Sequence, residues 1–148
     1  MSRKRILFVC TGNICRSPMA EALARSLMDD RSLEFGSAGL SAEEGSPASD
    51  HAHAVMAKRE LDLESHRAVK VDNAILAEAD LVLAMEAKHR DRLERFPSSK
   101  GKVMLLSEWA GASPPGPGID DPYGMGESEY EETAERLAEL IEAGLRRR

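Results

Sequence analysis

The chain has 148 residues, a formal net charge of −6 and an ordinary share of hydrophobic residues, so residues 1–148 are expected to form one domain. The acidic balance argues against nucleic acid as a partner, because nucleic-acid phosphates bind basic faces. Apolar runs such as residues 6–10 are too short to span a membrane or to form the core of a signal peptide, which favours the cytoplasm as location.

The first element along the chain is a buried strand over residues 6–9. These residues are Ile, Leu, Phe and Val, the pattern of a strand covered on both faces of a parallel sheet. A glycine turn follows, and Pro18 suits the first position of a helix that has Ser17 as its N-cap. The apolar stripe from Met19 to Leu27 then predicts an amphipathic helix.

The alternation of strand and helix continues to the end of the chain. The spacing of apolar residues predicts strands over 33–39, 80–85 and 102–106, and helices over 47–61, 86–96 and 127–145. Four strands alternating with helices indicate an α/β fold: a doubly wound, flavodoxin-like, four-stranded parallel sheet with helices on both faces. Ligands in such sheets bind beyond the carboxyl ends of the strands, where the loops after Val9 and Leu106 are expected to emerge.

The loop between the first strand and the first helix has the composition of an anion-binding site. Gly12 allows close approach of the backbone, and Asn13 is a residue type that tolerates positive φ. No nucleotide P-loop or dinucleotide-binding glycine motif is present. Beside the helix N-terminus an anion can be held by the backbone amides of Thr11, Gly12, Asn13, Ile14, Cys15, Arg16 and Ser17.

Cys10 and Arg16 indicate what chemistry this loop performs. Positive potential from the helix N-terminus and Arg16 is expected to make Cys10 a thiolate, which is a strong nucleophile. The planar guanidinium of Arg16 can hold two phosphoryl oxygens in the transition state of phosphoryl transfer. A cysteine that only ends a buried strand is the alternative, but the Cys-x5-Arg-Ser spacing between strand and helix favours the catalytic interpretation.

Residues 9–22, Val-Cys-Thr-Gly-Asn-Ile-Cys-Arg-Ser-Pro-Met-Ala-Glu-Ala, resemble the signature of the low-molecular-weight protein tyrosine phosphatases. The segments 37–39, 65–68 and 121–123 are similar to further segments of that family, so the resemblance covers the whole chain. It implies a four-stranded parallel sheet flanked by helices and no metal or other cofactor. It also implies a phosphorylated protein as substrate, a cysteinyl-phosphate intermediate and inorganic phosphate as product.

A second loop supplies the expected acid. The segment 111–123 contains four prolines and is long for a compact domain, which is typical of functional loops. The resemblance selects Asp121, which directly precedes Pro-Tyr, as the acid that protonates the leaving oxygen. A bound phosphate dianion would keep its carboxyl protonated, and Asp121 would then act as base toward the hydrolytic water. Tyr123 is expected to form a wall of the substrate slot, and Asp120 is expected to be structural.

Several residues are expected to support this chemistry without reacting. Besides capping the helix, the Ser17 hydroxyl is expected to donate to the Cys10 thiolate. By resemblance, the loop is fixed by a polar network of Asn13, Ser37 and His66, with a plain surface histidine as the alternative for the last. The remaining histidines match no motif and are expected to face solvent on helices: His51, His53 and His89.

Cys15 permits two interpretations. It is either a small core residue or the partner of Cys10 in a reversible disulfide that protects the nucleophile from over-oxidation. Two cysteines are too few for a disulfide scaffold, so both are expected to be thiols in a reducing compartment. There is also no Cys/His group with zinc spacing.

Departures from the phosphotyrosine-specific members of the family leave the substrate open. Those members usually have an aromatic residue in the loop after the second strand and often a second Tyr after Pro-Tyr. Here residues 40–45 contain no aromatic, and Gly124 follows Tyr123. Bacterial protein arginine phosphatases share the Cys-Thr-Gly-Asn start and the aromatic-Gly pair, but carry Thr where this chain has Ile14. Phosphotyrosine is the favoured substrate, and phosphoarginine is the alternative.

Two other functions fit the sequence less well. Thiol-coupled arsenate reductases of this fold need two further cysteines downstream, and the chain has none after Cys15. A non-catalytic anion-binding module would lack the nucleophile, the arginine or the acid, and Cys10, Arg16 and Asp121 are all present. Nothing in the sequence indicates an obligate interface, so a monomer without nucleic-acid or membrane partners is expected.

Overall fold

A four-stranded parallel sheet forms the centre of the computed structural model, which describes residues 3–28, 31–116 and 118–147. The strands are β1 (Lys4–Cys10), β2 (Leu33–Gly39), β3 (Leu81–Ala84) and β4 (Val103–Leu105). Their order is β2-β1-β3-β4, and all three pairings are parallel. The strand order reverses beside β1, so the crevice at which α/β sheets bind ligands lies at its carboxyl end, at Cys10. The predicted fold class is confirmed.

Helices cover both faces of this sheet. They are α1 (Arg16–Leu27), α2 (Asp50–Lys58), α3 (Asn73–Glu78), α4 (Ala87–Leu93), α5 (Leu106–Trp109) and α6 (Glu127–Arg147). Helices α1, α2 and α6 pack in one hydrophobic cluster, whereas α3 and α4 contribute to a second one. Of the helices in the described part of the chain, none combines the length and the apolar character needed to cross a bilayer.

The strand β1 is buried from both sides, as its unbroken apolar run predicts. Ile6, Phe8 and Cys10 belong to the cluster beneath α1, α2 and α6, and Leu7 and Val9 belong to the opposite cluster. Alternate residues of a strand point to opposite faces, which explains this division. Full burial of such a side chain contributes about 1.5–3 kcal/mol, so β1 is a rigid support for the loop that follows it.

The predicted start of α1 is wrong. The helix begins at Arg16 with Cys15 at the N-cap position, and no side chain caps it. Ser17 and Pro18 therefore occupy the second and third helical positions. Proline is tolerated there because the N–H groups of the first helical turn have no partner within the helix. The hydroxyl of Ser17 is directed to the Cys10 sulfur instead of a backbone N–H.

Other boundaries differ because of local capping. Helix α3 was not predicted; Asp72 begins it by accepting a hydrogen bond of 2.8 Å from the Ile75 N–H. Strand β4 ends at Leu105, whose N–H donates to Glu108 Oε1 at 2.7 Å, so Leu106 starts α5 rather than continuing the strand. Helix α2 is shorter than predicted at both ends, and α4 covers only the first part of its predicted range, while α6 extends to residue 147.

Candidate active site

The loop between β1 and α1 curves around a cavity of about 180 Å³ at the carboxyl edge of the sheet. This cavity brings together the expected nucleophile, arginine and acid, although Asp121 follows Cys10 by more than a hundred residues. The residues that line it are Cys10, Thr11, Gly12, Ile14, Cys15, Arg16, Asp121 and Tyr123. The N-terminus of α1 adds positive potential beside it.

The sulfur of Cys10 accepts hydrogen bonds from two groups of its own loop. It lies 2.9 Å from Ser17 Oγ and 3.3 Å from the backbone nitrogen of Asn13. Ser17 Oγ already accepts a hydrogen bond of 2.8 Å from Asn13 Nδ2, so its own proton is free to donate to the sulfur. Two donors directed at one sulfur allow it to hold negative charge.

Asn13 shapes the loop through its backbone and its side chain. Its φ is 58°, in the left-handed region that Asn adopts more readily than most residues. Its Oδ1 accepts from the Val69 N–H at 2.9 Å, and its carbonyl oxygen accepts from His66 Nε2 at 2.7 Å. His66 thus contacts the loop directly. Side chains and backbone from another segment hold Asn13 in this conformation.

Ser37 does not join that network as expected. Its hydroxyl donates to Glu21 Oε1 at 2.7 Å, which links β2 to α1. Glu21 also pairs with Arg25 one turn later at 2.5 Å. An ionised carboxylate is a stronger acceptor than a neutral group, which explains why the hydroxyl of Ser37 turns toward the helix.

Arg16 is almost completely buried, with a relative exposure of 1%. Its Nη1 donates to Glu86 Oε2 at 2.5 Å and to the Ile119 carbonyl oxygen at 2.7 Å. Its Nη2 lies 3.4 Å from Asp121 Oδ2. The buried Nε has no hydrogen-bond partner among the described residues. One edge of the guanidinium, Nε with Nη2, can therefore receive two oxygens of an oxyanion while Nη1 stays anchored.

The loop that carries Asp121 is attached to the end of β3. The Ile119 N–H donates to the Met85 carbonyl oxygen at 2.9 Å. Asp121 is exposed, and its Oδ1 accepts from the Tyr123 N–H at 3.1 Å, which forms a local turn. Tyr123 is 64% exposed and forms an open wall of the cavity. Asp120 is exposed and is not among the cavity residues.

Two residues near the site were missed or misplaced by the sequence analysis. Glu86 holds Arg16, and its position directly after a buried strand, at the same sheet edge as Cys10, was the available signal. The prediction that His89 faces solvent is wrong, because its exposure is 2%. His89 Nε2 lies 2.8 Å from Thr11 Oγ1. Of the other two histidines that were expected to face solvent, His51 is exposed and His53 is partly exposed.

Cys15 lies on the inner side of the loop as a free, buried thiol. Its sulfur is 3.2 Å from the Tyr130 hydroxyl and 3.5 Å from Ser49 Oγ. Burial raises the pKa of the Cys15 thiol, and burial also raises the pKa of Tyr130 to about 12. Both groups are therefore protonated near neutral pH. Through these contacts the loop is joined to the N-terminus of α2 and to α6.

The site is built to bind an oxyanion. No group of three or more His, Cys, Asp or Glu side chains that could hold a metal ion occurs within residues 3–28, 31–116 and 118–147. What converges on the cavity is a thiol, a guanidinium and a carboxyl group. This set can attack an electrophile, hold its oxygens and transfer a proton to a leaving group.

Comparison with known proteins is consistent with this geometry. Residues 5–147 match the model of the family described as low molecular weight phosphotyrosine protein phosphatase. The probable low molecular weight protein-tyrosine-phosphatase EpsP of Ralstonia nicotianae is 37% identical over 141 residues, which are 95% of this chain and 92% of that protein. A protein-arginine-phosphatase of Geobacillus stearothermophilus is 39% identical over 142 residues, covering 93% of this chain and 91% of that protein.

A solved structure extends the likeness to three dimensions. The low molecular weight protein tyrosine phosphatase from T. tengcongensis superposes with a TM-score of 0.90 at 40% identity. The alignment covers 98% of this chain and 99% of that one. The chain belongs to the low molecular weight phosphotyrosine protein phosphatase family.

Proposed function

We propose that this protein is a protein tyrosine phosphatase that hydrolyses phosphotyrosine in protein substrates through a cysteinyl-phosphate on Cys10. The observation that carries the proposal is the burial and the hydrogen bonding of the Arg16 side chain. Its side chain is buried beside the cavity, and Glu86 holds Nη1 in place. On the other edge of the guanidinium, Nε has no hydrogen-bond partner among the described residues, and Nη2 has only the 3.4 Å contact with Asp121. Glu86 already pairs with Nη1, and the Nε–Nη2 edge of the planar guanidinium fits two oxygens of a phosphoryl group.

Binding uses the loop as a cradle for the phosphoryl oxygens. The backbone amides of residues 11–17 donate to the phosphoryl oxygens, and the Nε–Nη2 edge of Arg16 holds two of these oxygens. The dianion competes with Asp121 for Arg16 Nη2, from which Asp121 Oδ2 is 3.4 Å away. Binding of the phosphoryl group therefore releases the Asp121 carboxyl from Arg16.

In the first chemical step the Cys10 sulfur attacks phosphorus, and the bond from phosphorus to the tyrosine oxygen breaks. Asp121 gives its proton to that oxygen, so tyrosine leaves as the neutral phenol. Charge in the transition state is spread over the phosphoryl oxygens, which Arg16 and the loop amides hold. His66 and Val69 keep the amides in place, because they hold Asn13 of the loop from outside.

In the second step a water molecule attacks the phosphorus of the cysteinyl-phosphate. Asp121, now ionised, accepts a proton from the water, the phosphorus–sulfur bond breaks and inorganic phosphate is formed. The electron pair returns to the Cys10 sulfur. Ser17 Oγ, 2.9 Å from that sulfur, donates a hydrogen bond that makes the thiolate a better leaving group.

The substrate preference rests on Ile14 and Tyr123, which face the same cavity. Tyr123 offers an aromatic face to a phenol ring, and the Ile14 side chain presents no hydroxyl to orient water on phosphoarginine. The competing candidate, a protein arginine phosphatase, is favoured by the single aromatic wall and by the arginine phosphatase relative at 39% identity. Phosphotyrosine is the proposed substrate because Ile14, which carries no hydroxyl, is one of the residues that line the cavity.

The test is kcat/KM on one peptide sequence carrying either phosphotyrosine or phosphoarginine. We expect a preference for phosphotyrosine, no turnover by Cys10→Ser, and a shift toward phosphoarginine in Ile14→Thr. Asp121→Asn is expected to lose more activity on phosphotyrosine than on p-nitrophenyl phosphate, whose leaving group needs no proton. Asp120→Asn, a neighbouring exposed carboxyl, is the matched control. A preference for phosphoarginine in the unaltered protein would overturn the substrate assignment.

We also propose that Cys15 forms a reversible disulfide with Cys10 under oxidation. Peroxide converts the Cys10 sulfur to a sulfenic acid, and attack by the Cys15 sulfur then releases water and forms the disulfide. The support is the position of both thiols in one loop beside the same cavity. Activity lost in peroxide is expected to return with dithiothreitol, but not in Cys15→Ser. Unchanged recovery in that variant would reject the proposal.

The remaining proposals concern the whole molecule. Residues 1–148 act as one domain, supported by the contacts that α6 makes with α1, α2 and α5 around a shared core. The protein is a monomer in the cytoplasm that binds neither nucleic acid nor membranes, supported by its net charge of −6. Sedimentation velocity across a range of protein concentrations tests the monomer, and a dimer at micromolar concentration would contradict it.

A further inference from the structure

We propose that His89 is a positioning residue that, through the hydroxyl of Thr11, fixes the phosphate-binding loop relative to the segment that holds Arg16. The inference rests on the proposed phosphatase activity and adds a residue to its machinery. His89 lies outside the cavity and contacts no reacting atom. Its effect on catalysis is therefore transmitted through its two hydrogen-bond partners.

The contacts of His89 form part of a closed ring. His89 Nε2 lies 2.8 Å from Thr11 Oγ1, and His89 Nδ1 lies 3.1 Å from the backbone nitrogen of Glu86. The carboxylate of Glu86 in turn holds Arg16 Nη1 at 2.5 Å. Thr11 and Arg16 stand at the two ends of the phosphate-binding loop, so this ring joins the ends through β3 and α4 rather than along the loop itself.

The direction of both hydrogen bonds follows from the chemistry of the partners. A backbone N–H can only donate, so His89 Nδ1 must carry the lone pair that accepts from Glu86. In a neutral imidazole the proton is then on Nε2, which donates to Thr11 Oγ1. Burial, with a smaller contribution from Arg16, lowers the pKa of His89 to about 4, so the neutral form is present at physiological pH.

The His89 hydrogen bond helps to hold the phosphate-binding loop in one conformation. Thr11 follows the nucleophile directly and is one of the residues that line the cavity. Without the His89 hydrogen bond the Thr11 side chain can rotate, and the amides near it lose one of their external supports. The transition state depends on the placement of these amides more than ground-state binding does. Loss of the contact is therefore expected to lower kcat by about tenfold with little change in KM.

A purely structural role is the competing explanation, since His89 also supports the first turn of α4 through Glu86. Four substitutions, two at each residue, separate these roles. The amide of His89→Asn has an oxygen near the position of Nδ1 but cannot reach Thr11. The longer side chain of His89→Gln has an amide nitrogen near the position of Nε2. Thr11→Val removes the hydroxyl with little change in volume, and Thr11→Ser retains it.

The kinetic experiment is a double-mutant cycle on p-nitrophenyl phosphate with the full chain. His89→Asn and Thr11→Val are each expected to lower kcat by about tenfold, and the double variant is expected to be no worse than either single variant. Thr11→Ser is expected to have a higher kcat than Thr11→Val, and His89→Gln is expected to have a higher kcat than His89→Asn. His53→Asn, a partly exposed histidine that does not line the cavity, is the control and keeps full activity. Reductions that multiply in the double variant would overturn the proposal.

A second measurement does not depend on turnover. Nitrogen-15 NMR of histidine-labelled protein at pH 7 is expected to show a neutral His89 with its proton on Nε2, assigned by the signal that disappears in His89→Asn. In Thr11→Val that proton is expected to exchange faster with water. A His89 protonated on Nδ1, or unchanged exchange in Thr11→Val, would reject the contact. If the unaltered protein failed to hydrolyse any phosphomonoester, the proposed function would fail while this measurement still decided the His89–Thr11 contact.

Discussion

The carbonyl oxygen of Ile119 accepts a hydrogen bond of 2.7 Å from Arg16 Nη1. This bond joins the loop of the candidate acid to the arginine of the phosphate-binding loop, although the two residues are 103 positions apart. Two residues later, Asp121 approaches the other terminal nitrogen of the same guanidinium at 3.4 Å. Arg16 therefore contacts both the candidate acid and the backbone of the loop that carries it.

The first prediction concerns Gly118, which lets the acid loop approach β3. Its φ is +120°, and an added Cβ would lie 2.2 Å from the Met85 carbonyl oxygen. Gly118→Ala is expected to displace Ile119 and to lower kcat at least tenfold, with a loss of about 1–3 kcal/mol in unfolding free energy. Gly116→Ala is the control, because its φ is also positive but, among the described residues other than its chain neighbours, no atom lies within 4 Å of its added Cβ. Equal kcat values in the two variants would contradict this interpretation.

The second prediction isolates the hydroxyl of Ser17. Ser17→Ala removes a donor to the Cys10 sulfur and an acceptor for Asn13 Nδ2. Since a hydrogen bond to a charged group contributes about 1.5–3 kcal/mol, we expect kcat to fall roughly 10- to 100-fold. Rapid-mixing kinetics should show a cysteinyl-phosphate that accumulates, because loss of the thiolate leaving group is slowed. Ser26→Ala in the same helix, where the hydroxyl bonds to the Leu23 carbonyl, is the control.

The third prediction is a pH dependence of stability from the Glu86–Arg16 pair. Burial acts to raise the pKa of Glu86, but the hydrogen bond and charge of Arg16 outweigh it and hold this pKa below its ordinary value of 4.5. The folded state then binds fewer protons than the unfolded state, so the pair stabilises the fold above pH 4.5 and loses this contribution as the pH falls further.

Glu86→Gln tests this directly. We expect the variant to be less stable than the unaltered protein at pH 7, by about 1–3 kcal/mol, and the difference to shrink between pH 4.5 and pH 3. Urea denaturation followed at several pH values gives both stabilities. Glu94→Gln, an exposed carboxyl just after α4, is expected to show little difference at any pH. A Glu86→Gln difference that stays constant down to pH 3 would count against the charge pair.

The fourth prediction concerns the packing of α6 on α5, away from the cavity. An added Cβ at Gly144 would lie 2.1 Å from Cε3 of Trp109, so the helix approaches the indole ring as closely as a glycine allows. Gly144→Ala is expected to destabilise the protein by about 1–3 kcal/mol through overpacking, with kcat unchanged. The chain has a single tryptophan, so its fluorescence reports the displacement of Trp109. Unchanged stability and emission would show that α5 adapts without cost.

The sequence was sufficient for much of the candidate site because its central group is local. Cys10 and Arg16 are six positions apart in one loop, and their spacing between a buried strand and a helix constrains where both side chains can lie. The fold class followed in the same way from the alternation of buried strands and helices. Asp121 was selected by resemblance, and the structure places it beside Arg16.

Other parts of the site were beyond local reasoning. Glu86 and His89 act through contacts with Arg16 and Thr11, which are more than 60 positions away along the chain. A histidine on a short helix has no local pattern that distinguishes a buried donor from a solvent-facing side chain. Ser37 was expected to contact Asn13 and His66, but its hydroxyl donates to Glu21 instead. The choice between these acceptors depends on how α1 packs against β2.

The amino-acid sequence by itself determined the parallel sheet and pointed to the loop between β1 and α1, with Cys10 and Arg16 as candidate nucleophile and candidate anion-binding arginine. These depend on hydrophobic periodicity and on residues a few positions apart. The tertiary structure alone decided which side chains hold Arg16, where the hydroxyl of Ser37 points and why His89 is buried. Such contacts form between segments that meet only after the sheet has assembled, because their geometry depends on the packing of β3, α4 and the acid loop around the end of β1.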